Sequence, residues 1–147
     1  MKLEREIEIA APAEDVYATL TDPDCLGDWV TIQEKLEERP QGDLRKGSTL
    51  VQRLKVAGRS FRVTWQVDEA RRPNLVKWTG KGPLGSKARA VYTISANGND
   101  STSFTYVNEW ALPGGVAGKT LGAAIKGVAG READRSLKAL KKLLEGG

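Results

Sequence analysis

The chain has 147 residues, of which 39% are hydrophobic and 29% charged, with a formal net charge of +4. These values are ordinary for one globular domain, which we expect to span residues 1–147 and to bury roughly two-thirds of its unfolded surface. The chain has no histidine and one cysteine, Cys25. This excludes Ser-His-Asp and Cys-His catalysis, an imidazole base, an internal disulfide and almost every transition-metal site.

The N-terminal segment alternates apolar or arginine side chains with glutamates over residues 3–9, which predicts a strand with one acidic, solvated face. Pro12 then begins a helix, and Asp22-Pro23 ends it and begins a second short helix that reaches Trp29. Residues 32–38 are ambiguous, because their composition favours a helix although the segment lacks an N-cap and runs straight into Pro40. We assign them to an edge strand.

Five further alternating segments predict strands at residues 50–56, 61–67, 75–79, 88–94 and 102–112. Ala57-Gly58 and Asn97-Gly98 are turn signals between neighbouring strands. A glycine-rich loop, Gly80–Gly85, follows the third of these segments.

A single long amphipathic helix fills the end of the chain after Pro113-Gly114-Gly115. No proline interrupts residues 116–144, and apolar residues recur at steps of three and four: Leu121, Ile125, Ala129, Ala133, Leu137, Leu140 and Leu144. Such a stripe must pack against something, and the antiparallel sheet is the partner available. We therefore predict an α+β fold in which a curved sheet of about seven strands wraps around the helix and encloses a cavity.

The order of these elements resembles the START-like, or SRPBCC, superfamily, in particular its polyketide cyclase/dehydrase and lipid-transport branch. The resemblance rests on residues 9–17, on Thr21-Asp22-Pro23 with Trp29, and on the final segment 136–145. It covers essentially the whole chain, but these motifs are structural joints rather than a catalytic signature.

Membership of this superfamily implies a helix-grip fold with a hydrophobic cavity between the sheet and the final helix. Its members bind lipids, sterols, polyketides or plant hormones, and some cyclise bound polyketides. This chain has no histidine that could act as an acid or a base in the cavity. This departure from the family weakens the interpretation of the chain as an enzyme.

The candidate ligand-binding residues lie on strand faces predicted to point inward, or on the apolar stripe of the final helix. They are Gln52, Leu54, Phe61, Trp65, Trp78, Tyr92, Phe104, Tyr106, Asn108, Trp110, Leu121 and Ile125. The plainer alternative is that most of the aromatic residues only fill the core. Gln52 and Asn108 are the most informative, because a buried amide must bond to protein, water or ligand. We expect Trp29 and Trp78 near the rim.

Three other motifs have a structural and a functional interpretation. The sequence of residues 113–120 is similar to a phosphate-binding loop, but Pro113 stands where that motif requires glycine. We therefore favour a simple bend between strand and helix. The glycines of the first half of the final helix, with the Gly80–Gly85 loop, indicate either a mobile gate, which we favour, or close packing. A basic stripe, defined as Arg131, Arg135, Lys138 and Lys142, is most simply a solvated helix face.

We therefore expect binding of a hydrophobic or amphipathic small molecule, such as a lipid, polyketide or isoprenoid-like compound. One alternative is a polyketide aromatase/cyclase-type enzyme, and another is a surface interaction module with an incidental cavity. We expect no cofactor, no metal and no nucleic-acid partner. Since no apolar run approaches the ~20 residues that span a bilayer and no signal peptide is evident, we expect a cytoplasmic protein without stable membrane insertion.

Overall fold

The computed structural model describes residues 1–111 and 118–146, and of residues 118–125 it describes the backbone alone. The elements are β1 (Lys2–Ile9), α1 (Ala13–Leu20), a 3-10 turn (Pro23–Cys25), α2 (Leu26–Trp29), β2 (Gln33–Glu38), β3 (Thr49–Val56), β4 (Arg59–Arg71), β5 (Leu75–Lys81), a second 3-10 turn (Pro83–Gly85), β6 (Lys87–Ala96), β7 (Thr102–Ala111) and α3 (Gly118–Leu144). The predicted α+β helix-grip class is confirmed.

All seven strands of the described residues form one antiparallel sheet in the order β1-β7-β6-β5-β4-β3-β2. From β2 to β7 each strand pairs with the next one along the chain, whereas β1 pairs with β7. Residues 33–38 therefore form an edge strand, as predicted. Register shifts interrupt the β2–β3 and β4–β5 pairings, and such bulges bend and twist a sheet. The bend makes the face toward α3 concave.

Helix α3 lies against the concave side and contacts β1, α1 and α2. Its apolar stripe is buried at Ala133, Leu137 and Leu140, whereas every residue of the basic stripe is exposed. This division is the pattern expected of an amphipathic helix packed on a core. Within the described part of the chain, we find no helix long and apolar enough to cross a membrane.

Trp29 and Trp78 are not at the rim, contrary to our expectation, since they are only 2% and 5% exposed. Trp78 lies in the middle of β5, and Trp29 is the last residue of α2, which packs it against the sheet. The connection between β2 and β3 also contributes to this core through Leu44, whose backbone N–H donates to the Thr21 carbonyl at 2.8 Å. Long-range packing of this kind has no periodic signal in the sequence.

Gly130 of α3 lies close to the Arg5 side chain of β1. An ideal Cβ at this position would come within 2.9 Å of Arg5 Nη2, and Arg5 Nε donates to Asp134 Oδ1 at 2.8 Å. Gly114 and Gly115 lie outside the described residues. So does most of the segment whose sequence is similar to a phosphate-binding loop.

The end of α3 is attached to the end of β1 by a polar clasp. Glu145 Oε2 accepts hydrogen bonds from the Ala10 backbone N–H at 2.8 Å and from Lys141 Nζ at 2.7 Å. Lys141 Nζ also donates to the Glu8 carbonyl at 2.7 Å. The backbone hydrogen bond, followed by the bond from Lys141, holds the pKa of Glu145 below its usual 4.5.

We expect this clasp to make the free energy of unfolding decrease as the pH becomes acidic. Because the Glu145 pKa is lower in the folded chain, its carboxylate stabilises the fold above the usual pKa of 4.5, and this contribution is lost as the pH falls through the folded pKa. The measurement is urea unfolding of the wild type and Glu145→Gln from about pH 7 to about pH 3. The advantage of the wild type should shrink with acidification, and a constant difference would contradict this assignment.

Candidate functional site

A cavity of about 660 Å³ lies between the concave face of the sheet and α3. This volume falls within the range of ~300–1,000 Å³ that is typical of small-molecule sites. The wall is mainly apolar, and it includes all four tryptophans of the chain: Trp29, Trp65, Trp78 and Trp110. Tryptophan fluorescence should therefore report directly on anything that enters.

Small residues in the central strands make room for the cavity. The register places Gly80 of β5 beside Ala88 of β6, with Trp65 of β4 and Trp110 of β7 on either side. We call these four residues the outer row. Gly80 leaves room for the Trp65 ring, and the small side chain of Ala88 lines the cavity beside Trp110.

A second row lies two residues further along the strands. Here Ala90 of β6 pairs with Trp78 of β5 on one side and with Asn108 of β7 on the other. We call these three residues the inner row. Ala90 again leaves space between two large neighbours, so the cavity extends inward from the outer row.

Gly80 belongs to β5, and not to the loop predicted at residues 80–85. An ideal Cβ on Gly80 would lie 2.7 Å from Trp65 Cζ3, so the Trp65 ring covers this glycine closely. The same indole donates from Nε1 to Gln52 Oε1 at 3.1 Å, and Gln52 Nε2 donates to Gln33 Oε1 at 2.8 Å. The Gln52 amide is therefore satisfied within the protein and does not require a ligand.

We expect Gly80→Ala to lower the free energy of unfolding by about 1–3 kcal/mol, because the added methyl group would displace Trp65 and strain its hydrogen bond to Gln52. Urea unfolding measures this loss. The matched control is Gly127→Ala in α3, where the new Cβ would meet only Arg131 Nη1, at 3.8 Å. There the same substitution should stabilise the helix by up to ~1 kcal/mol. Equal effects at both positions would contradict the role given to Gly80.

Tyr92 is the centre of an aromatic cluster at the inner end of the cavity. Its ring centroid lies 5.5 Å from Phe104, 5.8 Å from Tyr106, 5.9 Å from Trp78 and 6.2 Å from Trp29. These separations are in the favourable range for aromatic pairs. The cluster therefore forms a continuous aromatic wall that joins the sheet to α2.

The two tyrosine hydroxyls at this end remain protonated at neutral pH. Burial raises the pKa of Tyr92, and the neighbouring Tyr106 raises it further. Burial also raises the pKa of Tyr106, although the hydrogen bond from Asn108 opposes the shift. That bond runs from Asn108 Nδ2 to the Tyr106 hydroxyl oxygen at 3.0 Å. Both hydroxyls are thus suited to hydrogen bonding and not to removing a proton from a substrate.

Cys25 supplies no nucleophile for this cavity. It lies in the 3-10 turn before α2 and is absent from the cavity wall among the described residues. Burial, followed by its hydrogen bond to Asp22, raises the pKa of the thiol to about 11. Because the thiolate is the reactive form, the thiol is inert at neutral pH.

Residues of the β3–β4 and β5–β6 turns contribute to one end of the cavity wall. Arg59, Leu84 and Lys87 lie at this end, and Glu132 of α3 also lines the cavity. Leu84 is 88% exposed. Charged groups therefore lie at this end of the cavity wall, whereas the aromatic cluster around Tyr92 lies further along the strands.

The structure places most of the predicted site residues in the cavity wall: Gln52, Leu54, Phe61, Trp65, Trp78, Tyr92, Tyr106, Asn108 and Trp110. The prediction that Phe104 lines the cavity is wrong, because this side chain is fully buried behind Tyr92 and is not part of the cavity wall. The side chains of Leu121 and Ile125 lie outside the described residues. Contact between any of these side chains and a ligand stays a prediction.

Several wall residues were missed from the sequence. Ala129, Ala133 and Leu137 of α3 line the cavity, and continuing the predicted apolar stripe from Ile125 would have found them. The predicted strand at residues 88–94 includes Ala88 and Ala90, but their role in leaving space depends on which large residues pair with them. That register cannot be read from the strand itself.

A family model described as polyketide cyclase / dehydrase and lipid transport matches residues 1–145. Among curated proteins, the chain is similar to the uncharacterized protein Rv1546 of Mycobacterium tuberculosis, with 26% identity over 92 residues. This match covers 63% of the chain and 64% of the relative, so it spans less than two-thirds of that relative's length.

Solved structures share the fold along almost the whole chain. A START superfamily protein from Mycobacterium smegmatis has a TM-score of 0.80 and 19% identity, covering 99% of this chain and 97% of that one. The ZhuI aromatase/cyclase from Streptomyces sp. R1128 has a TM-score of 0.75 and 18% identity, covering 99% and 93%. At such low identity these likenesses establish a common fold.

Proposed function

We propose that this chain, which belongs to the polyketide cyclase / dehydrase and lipid transport family, binds one hydrophobic or amphipathic small molecule in its cavity. Suitable molecules are a lipid, a polyketide or an isoprenoid-like compound. The observation that carries the proposal is an apolar cavity of about 660 Å³ walled by all four tryptophans.

Apolar burial would supply most of the affinity. A ligand that buries ~400 Å² of apolar surface gains ~10 kcal/mol, and association costs at least ~4 kcal/mol. The difference is at most ~6 kcal/mol, which corresponds to a dissociation constant of about 40 μM or weaker. Asn108 and the hydroxyls of Tyr92 and Tyr106 would then fix the orientation of the ligand.

Fluorescence titration tests this function with three probes of different class: oleate, farnesol and the aromatic polyketide emodin. We expect at least one of them to change the tryptophan emission saturably at one molecule per chain. If none of the three produces a saturable change, the binding proposal is wrong.

A second candidate, an aromatase/cyclase-type enzyme, is favoured by the group of polar side chains at the inner end. Catalysis would be mainly positional, because the cavity would fold a flexible chain so that its reacting carbons meet. Tyr92, Tyr106 and Asn108 would hydrogen-bond an enolate oxygen. Turnover of a model poly-β-ketone that survives the combined Asn108→Ala and Tyr106→Phe substitutions would reject these roles.

A further inference from the structure

The unpaired buried polar atoms of the described residues are concentrated in the cavity wall. Trp29 Nε1, Trp78 Nε1 and Asn108 Oδ1 are buried side-chain atoms without a hydrogen-bond partner among these residues. All three side chains line the cavity. Since the great majority of buried polar groups in proteins are paired, three unpaired atoms around one cavity require an explanation.

Buried polar side chains elsewhere in the fold are paired. Thr21 Oγ1 donates to the Tyr17 carbonyl at 2.8 Å, and Thr102 Oγ1 donates to the Ala11 carbonyl at 2.7 Å. Gln52, which accepts the hydrogen bond from Trp65 of the outer row, is bonded at both ends of its amide. The deficit is therefore a property of the inner end of the cavity and not of the core in general.

The three unpaired atoms belong to one cluster. Both indoles contact the Tyr92 ring, with centroid distances of 6.2 Å for Trp29 and 5.9 Å for Trp78. Tyr92 stacks on Tyr106 at 5.8 Å, and Tyr106 accepts the hydrogen bond from Asn108. In the inner row, Ala90 leaves the space between Trp78 and Asn108 open.

The chemistry of these groups specifies what pairs with them. An indole N–H can only donate, so Trp29 and Trp78 both need an acceptor. The Tyr106 hydroxyl occupies one end of the Asn108 amide, and the other end is free whichever way the amide is oriented. A hydroxyl oxygen accepts and donates, and a carbonyl oxygen accepts. No side chain of this cluster carries a charge at neutral pH.

We propose that the inner end of the cavity is a subsite for an uncharged oxygen of the ligand, a hydroxyl or a carbonyl attached to an apolar ring or chain. Trp29, Trp78 and Asn108 are its hydrogen-bonding partners, and the apolar part of the ligand extends along the apolar wall toward the outer row. Each unpaired atom is itself buried, so binding requires the indole or amide to rotate toward the ligand oxygen. This assignment rests on the proposed binding function.

Calorimetric titration with naphthalene and 2-naphthol at about pH 7 tests the subsite, because the two probes differ by one uncharged hydroxyl. If the cavity offers no hydrogen-bonding partner, the hydroxyl of 2-naphthol gives up its hydrogen bonds to water without replacement. 2-Naphthol then binds more weakly than naphthalene. With partners, we expect 2-naphthol to bind about tenfold tighter than naphthalene. Trp78→Phe and Asn108→Leu should each reduce this preference several-fold while the naphthalene affinity changes by about twofold at most.

Thr79→Val is the control, because it removes a hydroxyl from the same strand on the opposite face of the sheet; both affinities should stay unchanged. Naphthalene binding by each variant shows that it has kept its fold. The subsite is overturned if the hydroxyl weakens binding to the wild type, or if the preference survives in both Trp78→Phe and Asn108→Leu. If neither aromatic probe binds and oleate, farnesol and emodin also fail, the proposed function itself is wrong.

Discussion

Replacing Ala88 with phenylalanine is expected to weaken ligand binding by about 100-fold while the fold stays intact. Ala88 is half-buried in the outer row, between Gly80 and Trp110, and its side chain lines the cavity. A phenyl ring at this position projects into space that the ligand would occupy. Because the ring fills existing space, the free energy of unfolding should change little.

The control for Ala88→Phe is Val91→Phe, which adds bulk to the opposite face of the same strand. Fluorescence titration with a probe that binds the wild type gives the two dissociation constants, and urea unfolding gives the two stabilities. Val91→Phe should bind as the wild type does. Unchanged binding by Ala88→Phe would place the ligand elsewhere and contradict the site described above.

Replacing Phe104 with alanine is expected to lower the free energy of unfolding by about 3–5 kcal/mol. Phe104 is 0% exposed and packs behind Tyr92, with the ring centroids 5.5 Å apart. Since it does not line the cavity, no ligand can replace the contacts that it loses. Such a change is a large fraction of the stability of a typical domain.

Phe61 provides a matched comparison, because the chain contains only these two phenylalanines. Phe61 is half-buried in the cavity wall near the start of β4. Phe61→Ala should cost about 1 kcal/mol, because less apolar surface is exposed again, and it should also weaken ligand binding. The structure indicates that Phe104 is a core residue. Equal losses of stability for the two variants in urea unfolding would contradict this.

The strands could be predicted from the sequence because a period of two is visible in single segments. In β3 and β7 residues predicted to face inward, such as Gln52, Leu54 and Phe104, are buried as expected. The resemblance to the START-like superfamily supplied the arrangement of the sheet around the final helix, which alternation alone does not specify.

The detailed shape of the cavity could not be predicted, because it depends on register. Gly80 pairs with Trp65 in the bulged β4–β5 pairing, and Ala90 pairs with Asn108 in the regular β6–β7 pairing. A shift of one residue in either pairing would reverse every face. Gly80 was therefore assigned to a loop, and Phe104 to the cavity wall. The burial of Trp29 depends on where α2 packs, which no local pattern reveals.

Native mass spectrometry of the chain purified gently from its own host tests the central claim most directly. The account predicts one non-covalently bound apolar molecule per chain, released on denaturation, and the same preparation of Ala88→Phe should lack it. The mass of the chain alone in the wild-type preparation, together with no saturable binding of oleate, farnesol or emodin, would contradict the claim that this cavity is a binding site.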